Sequence, residues 1–184
     1  MTTVYFVRHA HSTYTPNEFK RPLSEKGEAD AKKVTHVLRF ENIDVVLSSP
    51  YLRAIQTVEG LAHLIGSKVE IEEGFKERKL TEKSAEDFNE AIMKVWEDET
   101  FFWEGGESNL VAQQRGVEAT LQVLERYKGK NIVIGTHGNI MVLIMNYFDS
   151  KYHFDFWKKL DMPDIYKLSF EDDLLINVER LWGK

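Results

Sequence analysis

The chain has 184 residues, of which 42% are hydrophobic and 29% are charged, and this suits one globular domain spanning 1–184. Its net charge of −6 argues against nonspecific binding of nucleic acid, but it leaves room for a small anionic ligand in a locally positive pocket. The chain contains no cysteine, which excludes disulfides and thiolate catalysis and fits a cytoplasmic location. We expect no signal peptide and no membrane span, because no apolar run approaches the ~20 residues that a span requires.

The first part of the chain alternates strands and helices. The strands are short, apolar and β-branched, as is typical of strands buried on both faces. Ser24 and Ser49 are the expected N-caps of the two helices, and Pro50 suits the first helical position of the second. The predicted elements are, in order, a strand at 4–7, a helix at 25–39, a strand at 44–48, a helix at 50–65 and a strand at 69–71.

The second part begins with a less regular segment, which we interpret as a short insertion at about 74–106 near the mouth of an active site. It holds a helix at 85–97. The elements that follow are a helix at 108–127, a strand at 132–135, a helix at 139–148 and a final hairpin of strands at 165–170 and 175–179. The fold class is therefore α/β, a three-layer α/β/α arrangement with a mostly parallel mixed sheet and an antiparallel element near the end.

Residues suited to phosphate chemistry follow three of the predicted strands. Arg8 and His9 end the first strand, Arg53 lies in the first turn of the helix after the second, and His137 and Gly138 open the helix after the strand at 132–135. In an open α/β sheet the carboxyl ends of the strands share one edge, where ligands bind. Guanidinium groups, free N–H groups at helix N-termini and a glycine that allows close backbone approach favour an anion site there.

Phosphoryl transfer needs a nucleophile and a proton for the leaving group. A neutral imidazole can attack phosphorus and carry the phosphoryl group covalently, which suits His9. A departing alkoxide needs a proton from a carboxylic acid. Glu77, just after the third strand, is the nearest candidate, although its charged neighbours also fit a solvated surface.

Six short motifs together resemble the histidine phosphatase superfamily, which has the phosphoglycerate-mutase-like fold, and they occur in the family's order. The resemblance implies that His9 is the phosphorylated nucleophile and that Arg8, Arg53 and His137 hold the phosphate. It also implies that Glu77 donates the proton and later activates water. The matching motifs are Arg8-His9-Ala10-His11-Ser12, Leu23-Ser24-Glu25-Lys26-Gly27, Ser48-Ser49-Pro50 with Arg53-Ala54 and Gln56-Thr57, Glu77-Arg78, Gly105-Gly106-Glu107-Ser108 and Thr136-His137-Gly138.

The chain departs from the family pattern at two positions. Ala10 stands where mutases usually have glycine, and Thr15 stands where many members have an asparagine that touches phosphate, so we expect the Thr15 hydroxyl to take part in that contact. The chain is also shorter than typical cofactor-dependent mutases. The resemblance therefore implies a small phosphatase: a metal-independent phosphomonoester hydrolase with no cofactor, acting on a small phosphorylated substrate. A cofactor-dependent phosphoglycerate mutase and a non-catalytic phosphoester-binding protein are the alternatives.

Two further features have competing interpretations. His9 and His11 form an H-x-H pair of the kind that begins some metal sites, but no downstream cluster of ligands completes it, and we expect no metal. Phe101, Phe102 and Trp103 either belong to the core or line the active-site pocket, where they would favour an apolar leaving group.

Overall fold

A computed structural model of the protein, which describes residues 1–82 and 86–183, is built around one mixed sheet. The strands are β1 (Thr2–Arg8), β2 (Val45–Ser48), β3 (Val69–Ile71), β4 (Asn131–Thr136), β5 (Asp164–Glu171) and β6 (Leu174–Arg180). Their order is β3-β2-β4-β1-β5-β6. The first four pair in parallel, whereas β5 pairs antiparallel with both β1 and β6. The predicted sheet, mostly parallel with a terminal hairpin, is confirmed.

Helices cover both faces of this sheet. The helices are α1 (Glu25–Leu38), α2 (Leu52–Leu64), α3 (Phe88–Glu97), α4 (Asn109–Arg126), α5 (Gly138–Phe148) and α6 (Phe154–Lys158), with 3₁₀ helices at Glu18–Lys20 and Glu73–Phe75. None of them, in the described part of the chain, is long and apolar enough to cross a membrane.

The two faces of β1 show why the fold has three layers, with the sheet between two layers of helices. Successive side chains of a strand point to opposite faces. Tyr5 and Val7 belong to a buried cluster with residues of α1 and α2, whereas Val4 and Phe6 belong to a second cluster with residues of α4 and α5. Because both faces are buried, the strand is apolar throughout instead of alternating with polar residues. The three-layer prediction is confirmed.

Of the two predicted N-caps, one is correct. The Ser24 hydroxyl accepts a hydrogen bond from the Gly27 amide at 3.1 Å at the start of α1. Ser49 is not a cap, because α2 begins only at Leu52 and its N-cap residue, Tyr51, has no side-chain capping bond. The Ser49 hydroxyl is instead bound within the candidate site described below.

The segment at 74–106 leaves the sheet between β3 and α4. Its helix begins at Phe88, later than predicted, where the Asp87 side chain accepts a hydrogen bond from the Glu90 amide at 3.1 Å. The earlier predicted start at Ala85 lies outside the described residues. The five-residue helix α6 was not predicted, because it is too short to show a helical period.

Candidate active site

The ends of β1, β2 and β4 bring the predicted junction residues together. Parallel pairing sets Arg8 beside Thr136, and the His9 amide donates to the Thr136 carbonyl oxygen at 2.9 Å. The residues that follow these strand ends are therefore neighbours. The ring centroids of His9 and His137 lie 5.1 Å apart, so two distant parts of the sequence deliver both imidazoles to one place.

Hydrogen bonds at both ring nitrogens fix the orientation of His9. Its Nδ1 lies 2.7 Å from the carbonyl oxygen of Ala10, which only accepts, so Nδ1 carries the ring proton and donates it. The lone pair is left on Nε2, which accepts a hydrogen bond from Arg53 Nε at 3.3 Å. Burial first, and then the positive charges of Arg53, Arg8 and Arg21, lower the pKa of His9 to about 3. The imidazole is therefore neutral at neutral pH.

Arg53 connects His9 to the loop at 12–23. While its Nε faces His9, Nη1 donates to the Glu18 carbonyl oxygen at 3.0 Å and Nη2 donates to Glu18 Oε1 at 3.1 Å. The guanidinium also lies over the Tyr51 ring, 4.7 Å from its centroid. Arg53 is thus held on three sides in the first turn of α2, as predicted. Glu18 was not predicted, because no motif distinguishes it from other charged loop residues.

Arg8 lies against the first turn of α5. Its Nη1 donates to the carbonyl oxygens of Leu160 and Asp161, at 3.4 and 3.1 Å. Its Nε is buried and has no hydrogen-bond partner among the described residues. A Cβ atom added to Gly138 would lie 2.9 Å from this Nε. Gly138 therefore makes room for the guanidinium, which leaves one buried donor free for an anion.

His137 is fully buried beside His9. Its Nε2 lies 2.7 Å from the Ser49 hydroxyl, and its Nδ1 has no partner in the described part of the chain. Burial, followed by the charges of His9, Arg53 and Arg8, holds the pKa of His137 well below its usual value. The Ser49 hydroxyl oxygen accepts from the Tyr51 amide at 3.3 Å, which leaves its own proton available for Nε2. In that arrangement the ring proton lies on Nδ1, as a second free donor. The sequence pattern predicts Ser49 as a helix cap and gives no sign of its contact with His137.

Glu77 reaches the same helix terminus from the other side. Its Oε2 accepts from the Asn139 amide at 3.1 Å, and its Oε1 accepts from the amides of Ile140 and Arg78 at 2.9 and 2.8 Å. The carboxylate thereby satisfies free N–H groups at the start of α5. It is half-buried, so the alternative of a fully solvated surface residue is wrong. The amides of Asn139 and Ile140 belong to the second and third residues after His137.

Thr15 makes its contacts inside the loop at 12–23. Its hydroxyl donates to the Asn17 carbonyl oxygen at 2.9 Å, and its own carbonyl oxygen accepts from Arg21 Nη2 at 3.2 Å. A bridge between Ser12 and Leu23 closes the loop. The expected contact of the Thr15 hydroxyl with phosphate stays a prediction.

Two aromatic residues outside the segment at 101–103 contact the site, Tyr51, whose ring centroid lies 4.8 Å from that of His137, and Trp96. Trp96 Nε1 donates to Asn139 Oδ1 at 3.2 Å, directly beside the Glu77 contacts. Phe101 and Trp103 instead pack on each other, with ring centroids 5.1 Å apart, and Trp103 Nε1 donates to the Ala91 carbonyl oxygen in α3. Their role in lining the pocket stays a prediction.

The H-x-H pair does not form a metal-binding group. His11 is exposed and its Nδ1 lies 2.7 Å from the Ser24 hydroxyl, whereas His9 is buried against Arg53. In the described ranges, 1–82 and 86–183, no three His, Cys, Asp or Glu side chains cluster in a way that could hold a metal ion. The cations gathered at this site are arginines.

Comparison with known families agrees with this geometry. The model of the histidine phosphatase superfamily (branch 1) matches residues 4–178, which is nearly the whole chain. The protein belongs to this superfamily, and the resemblance drawn from its motifs is confirmed. The prediction of a phosphomonoester hydrolase of the histidine-phosphatase type is confirmed at this level.

The individual proteins that resemble this chain share less than a third of its residues. Phosphoserine phosphatase 1 of Hydrogenobacter thermophilus is 28% identical over 150 residues, which cover 74% of this chain and 71% of that protein. A phosphoserine phosphatase of Entamoeba histolytica in complex with 3-phosphoglyceric acid has a TM-score of 0.82 at 20% identity, with 100% and 98% of the two chains covered. A mycobacterial glucosyl-3-phosphoglycerate phosphatase in complex with VO3 has a TM-score of 0.81 at 19% identity, with 97% of each chain covered. At these identities the two structures show a shared fold.

Proposed function

We propose that the protein hydrolyses small phosphomonoesters through a covalent phosphohistidine on His9, with no metal ion. The observation that carries this proposal is the state of His9, a buried neutral imidazole whose Nε2 lone pair faces the site beside Arg53. Arg8 and His137 each add a buried nitrogen with no hydrogen-bond partner among the described residues. Two such donors beside a nucleophile are suited to the non-bridging oxygens of a phosphoryl group.

In the first step, His9 Nε2 attacks phosphorus while Arg8, Arg53 and His137 bind the non-bridging oxygens. A nitrogen–phosphorus bond forms, and the bond from phosphorus to the ester oxygen breaks with its electron pair on that oxygen. Glu77, in its protonated form, donates the proton that the alkoxide requires.

In the second step, water attacks the phosphohistidine. Glu77, now a carboxylate, accepts a proton from this water as the oxygen–phosphorus bond forms. The nitrogen–phosphorus bond breaks, its electron pair returns to Nε2, and inorganic phosphate leaves. The hydrogen bonds from Asn139 and Ile140 orient the Glu77 carboxylate in both steps.

The nature of the acceptor separates this function from that of a mutase, because a hydrolase passes the phosphoryl group to water and a mutase passes it to a second hydroxyl. The names of the relatives, phosphoserine phosphatase and glucosyl-3-phosphoglycerate phosphatase, support small phosphorylated substrates and hydrolysis.

A substrate panel in EDTA tests the proposal, with p-nitrophenyl phosphate, phosphoserine and 3-phosphoglycerate. We expect inorganic phosphate from at least one of them, at a rate that chelation leaves unchanged. Activity that is lost in EDTA and restored by zinc, manganese or iron would contradict a metal-independent mechanism. Isomerisation of 3-phosphoglycerate faster than release of phosphate would establish the mutase instead.

A further inference from the structure

The loop at 12–23 carries a third arginine toward the nucleophile. Arg21 Nη2 is fixed to the Thr15 carbonyl oxygen at 3.2 Å, and its guanidinium lies over the Tyr14 ring, 4.8 Å from the centroid. Its Nε is buried, and within the described residues it has no hydrogen-bond partner. The side chain is therefore held in place while one of its donors remains unused.

The positive charge of Arg21 acts on the imidazole of His9. It lowers the pKa of His9, together with burial and with the charges of Arg53 and Arg8. It also lowers the pKa of Arg53, on which burial and the opposing charge of Glu18 have larger effects. Arg21 is thus one of three arginines whose charge reaches the nucleophilic ring.

The same loop also places the carboxylate of Glu18 against Arg53, where it would repel a bound phosphate. Glu18 binds two nitrogens of Arg53, one through its carbonyl oxygen and one through Oε1. A phosphate dianion at Arg53 would therefore approach the negative charge of Glu18, which opposes binding. A further cation beside Arg53 offsets that repulsion.

Arg21 is also better suited to this contact than the residue that the sequence suggested. A phosphate dianion needs hydrogen-bond donors, and arginine offers them with a full positive charge. The single hydroxyl proton of Thr15 is already donated to Asn17. The Thr15 backbone holds Arg21, so the two residues form one unit of the loop.

We propose that Arg21 is a further substrate-binding residue, which contacts a non-bridging oxygen of the substrate's phosphoryl group and offsets the charge of Glu18. This inference rests on the proposed phosphate site. It assigns the loop at 12–23 a part in binding the phosphoryl group rather than the leaving group.

The test compares Arg21→Gln with Lys20→Gln, which removes the same charge from the neighbouring, exposed position of the loop. The probe is inorganic phosphate, measured as a competitive inhibitor of p-nitrophenyl phosphate hydrolysis. We expect Arg21→Gln to raise the phosphate Ki and the KM by about tenfold or more, because a charge-assisted contact is lost. Lys20→Gln should change both by less than about twofold, since its charge is screened. Arg21→Lys should recover part of the affinity.

Each other outcome overturns the inference. An unchanged phosphate Ki in a folded Arg21→Gln protein excludes the contact. If Arg21→Gln and Lys20→Gln raise the phosphate Ki equally, the loop attracts phosphate by its overall charge and not through a contact with Arg21. Weaker binding of phosphoserine with an unchanged Ki for phosphate places Arg21 at the leaving group. A wild-type protein that neither binds phosphate nor hydrolyses the ester overturns the proposed function itself, and thermal denaturation of each variant separates these results from misfolding.

Discussion

The sheet edge and the loop at 12–23 build the same site in different ways. At the edge, Arg8, His9 and His137 end or follow buried strands, so the hydrogen bonds and packing of the whole sheet fix their positions. In the loop, Arg21 is held by the Thr15 backbone and Glu18 by Arg53, and a bridge between Ser12 and Leu23 closes the loop. Bond making needs exact placement, whereas charge acts over a longer range. We therefore expect the edge to carry the chemistry and the loop to adjust the binding of phosphate.

The strongest test of this division replaces the nucleophile. His9→Asn should lower kcat by about 10⁴-fold or more, because asparagine cannot accept the phosphoryl group that we propose His9 carries. The matched control is His11→Asn, which changes the exposed histidine two residues along the chain and should alter kcat by less than about fivefold. Steady-state rates with p-nitrophenyl phosphate measure both. A His9→Asn protein that keeps a tenth of the wild-type kcat contradicts the covalent mechanism.

The second prediction concerns Glu77, the proposed proton donor at the sheet edge. Glu77→Gln should slow hydrolysis of alkyl phosphates by about 10²- to 10³-fold, because the alkoxide loses its proton donor. Release of p-nitrophenol in the first turnover should slow much less, since nitrophenolate departs without a proton. The second step should slow for both esters. A single-turnover experiment measures the first step and a multiple-turnover experiment the second.

This variant needs a structural control, because the carboxylate also binds the first amides of α5. The amide nitrogen of glutamine would face one of these N–H groups, so the free energy of unfolding must be measured beside the rates. Glu107 lies in the Gly105-Gly106-Glu107-Ser108 motif and pairs with Arg115 at 2.8 Å, and Glu107→Gln is the matched substitution. Equal losses for alkyl and nitrophenyl esters in Glu77→Gln would move the acid role away from Glu77.

The buried histidines of the edge predict a dependence of stability on pH. Burial lowers the pKa of His9 to about 3 and that of His137 well below 6.5, whereas both titrate near 6.5 in the unfolded chain. The unfolded state therefore binds more protons below pH 6.5. The stability is fully present above that pH and falls as the pH drops toward 3, by up to about 1.4 kcal/mol per pH unit for each histidine.

Urea unfolding at several pH values measures this slope. His9→Asn should reduce it, because the lowered pKa of His9 is one of its two sources. Equal slopes in the wild-type protein and in His9→Asn would show that His9 is not held neutral by the fold.

The smallest expected effect belongs to the loop. Glu18→Gln removes a negative charge beside Arg53 but keeps the backbone carbonyl that binds Nη1 at 3.0 Å. We expect a decrease in the Ki of inorganic phosphate by about two- to fivefold and little change in kcat, because screened charges near a surface contribute modestly. A loss of kcat above tenfold would instead show that Glu18 positions Arg53, and the loop would then share in the chemistry.

The same contrast explains what could be predicted from the sequence. The apolar runs that become β1 and β4 locate their own carboxyl ends, so Arg8, His9 and His137 could be assigned to one edge. The Ser49-Pro50 pattern predicts a helix start at Pro50, but α2 begins at Leu52, because a serine before proline looks the same whether it caps a helix or binds a buried imidazole. Local patterns define the strands well, but they do not specify a partner 88 residues away.

The loop residues could not be found in this way. Glu18 and Arg21 reach the site through a bridge that closes the loop and through contacts with α2 and Thr15, and none of these has a periodic signal. Glu77 was assigned its role by resemblance, and its hydrogen bonds to α5 became evident only in three dimensions.

The most direct test of the account is to trap the phosphoenzyme. Wild-type protein mixed with excess labelled phosphomonoester and quenched in base within the first turnover should carry up to one phosphoryl group per chain, stable in base and lost in acid. Peptide mapping should place it on His9, and His9→Asn should carry none. Product formation in a single turnover with no labelled protein, or a label on another residue, would contradict the central claim that His9 carries the phosphoryl group.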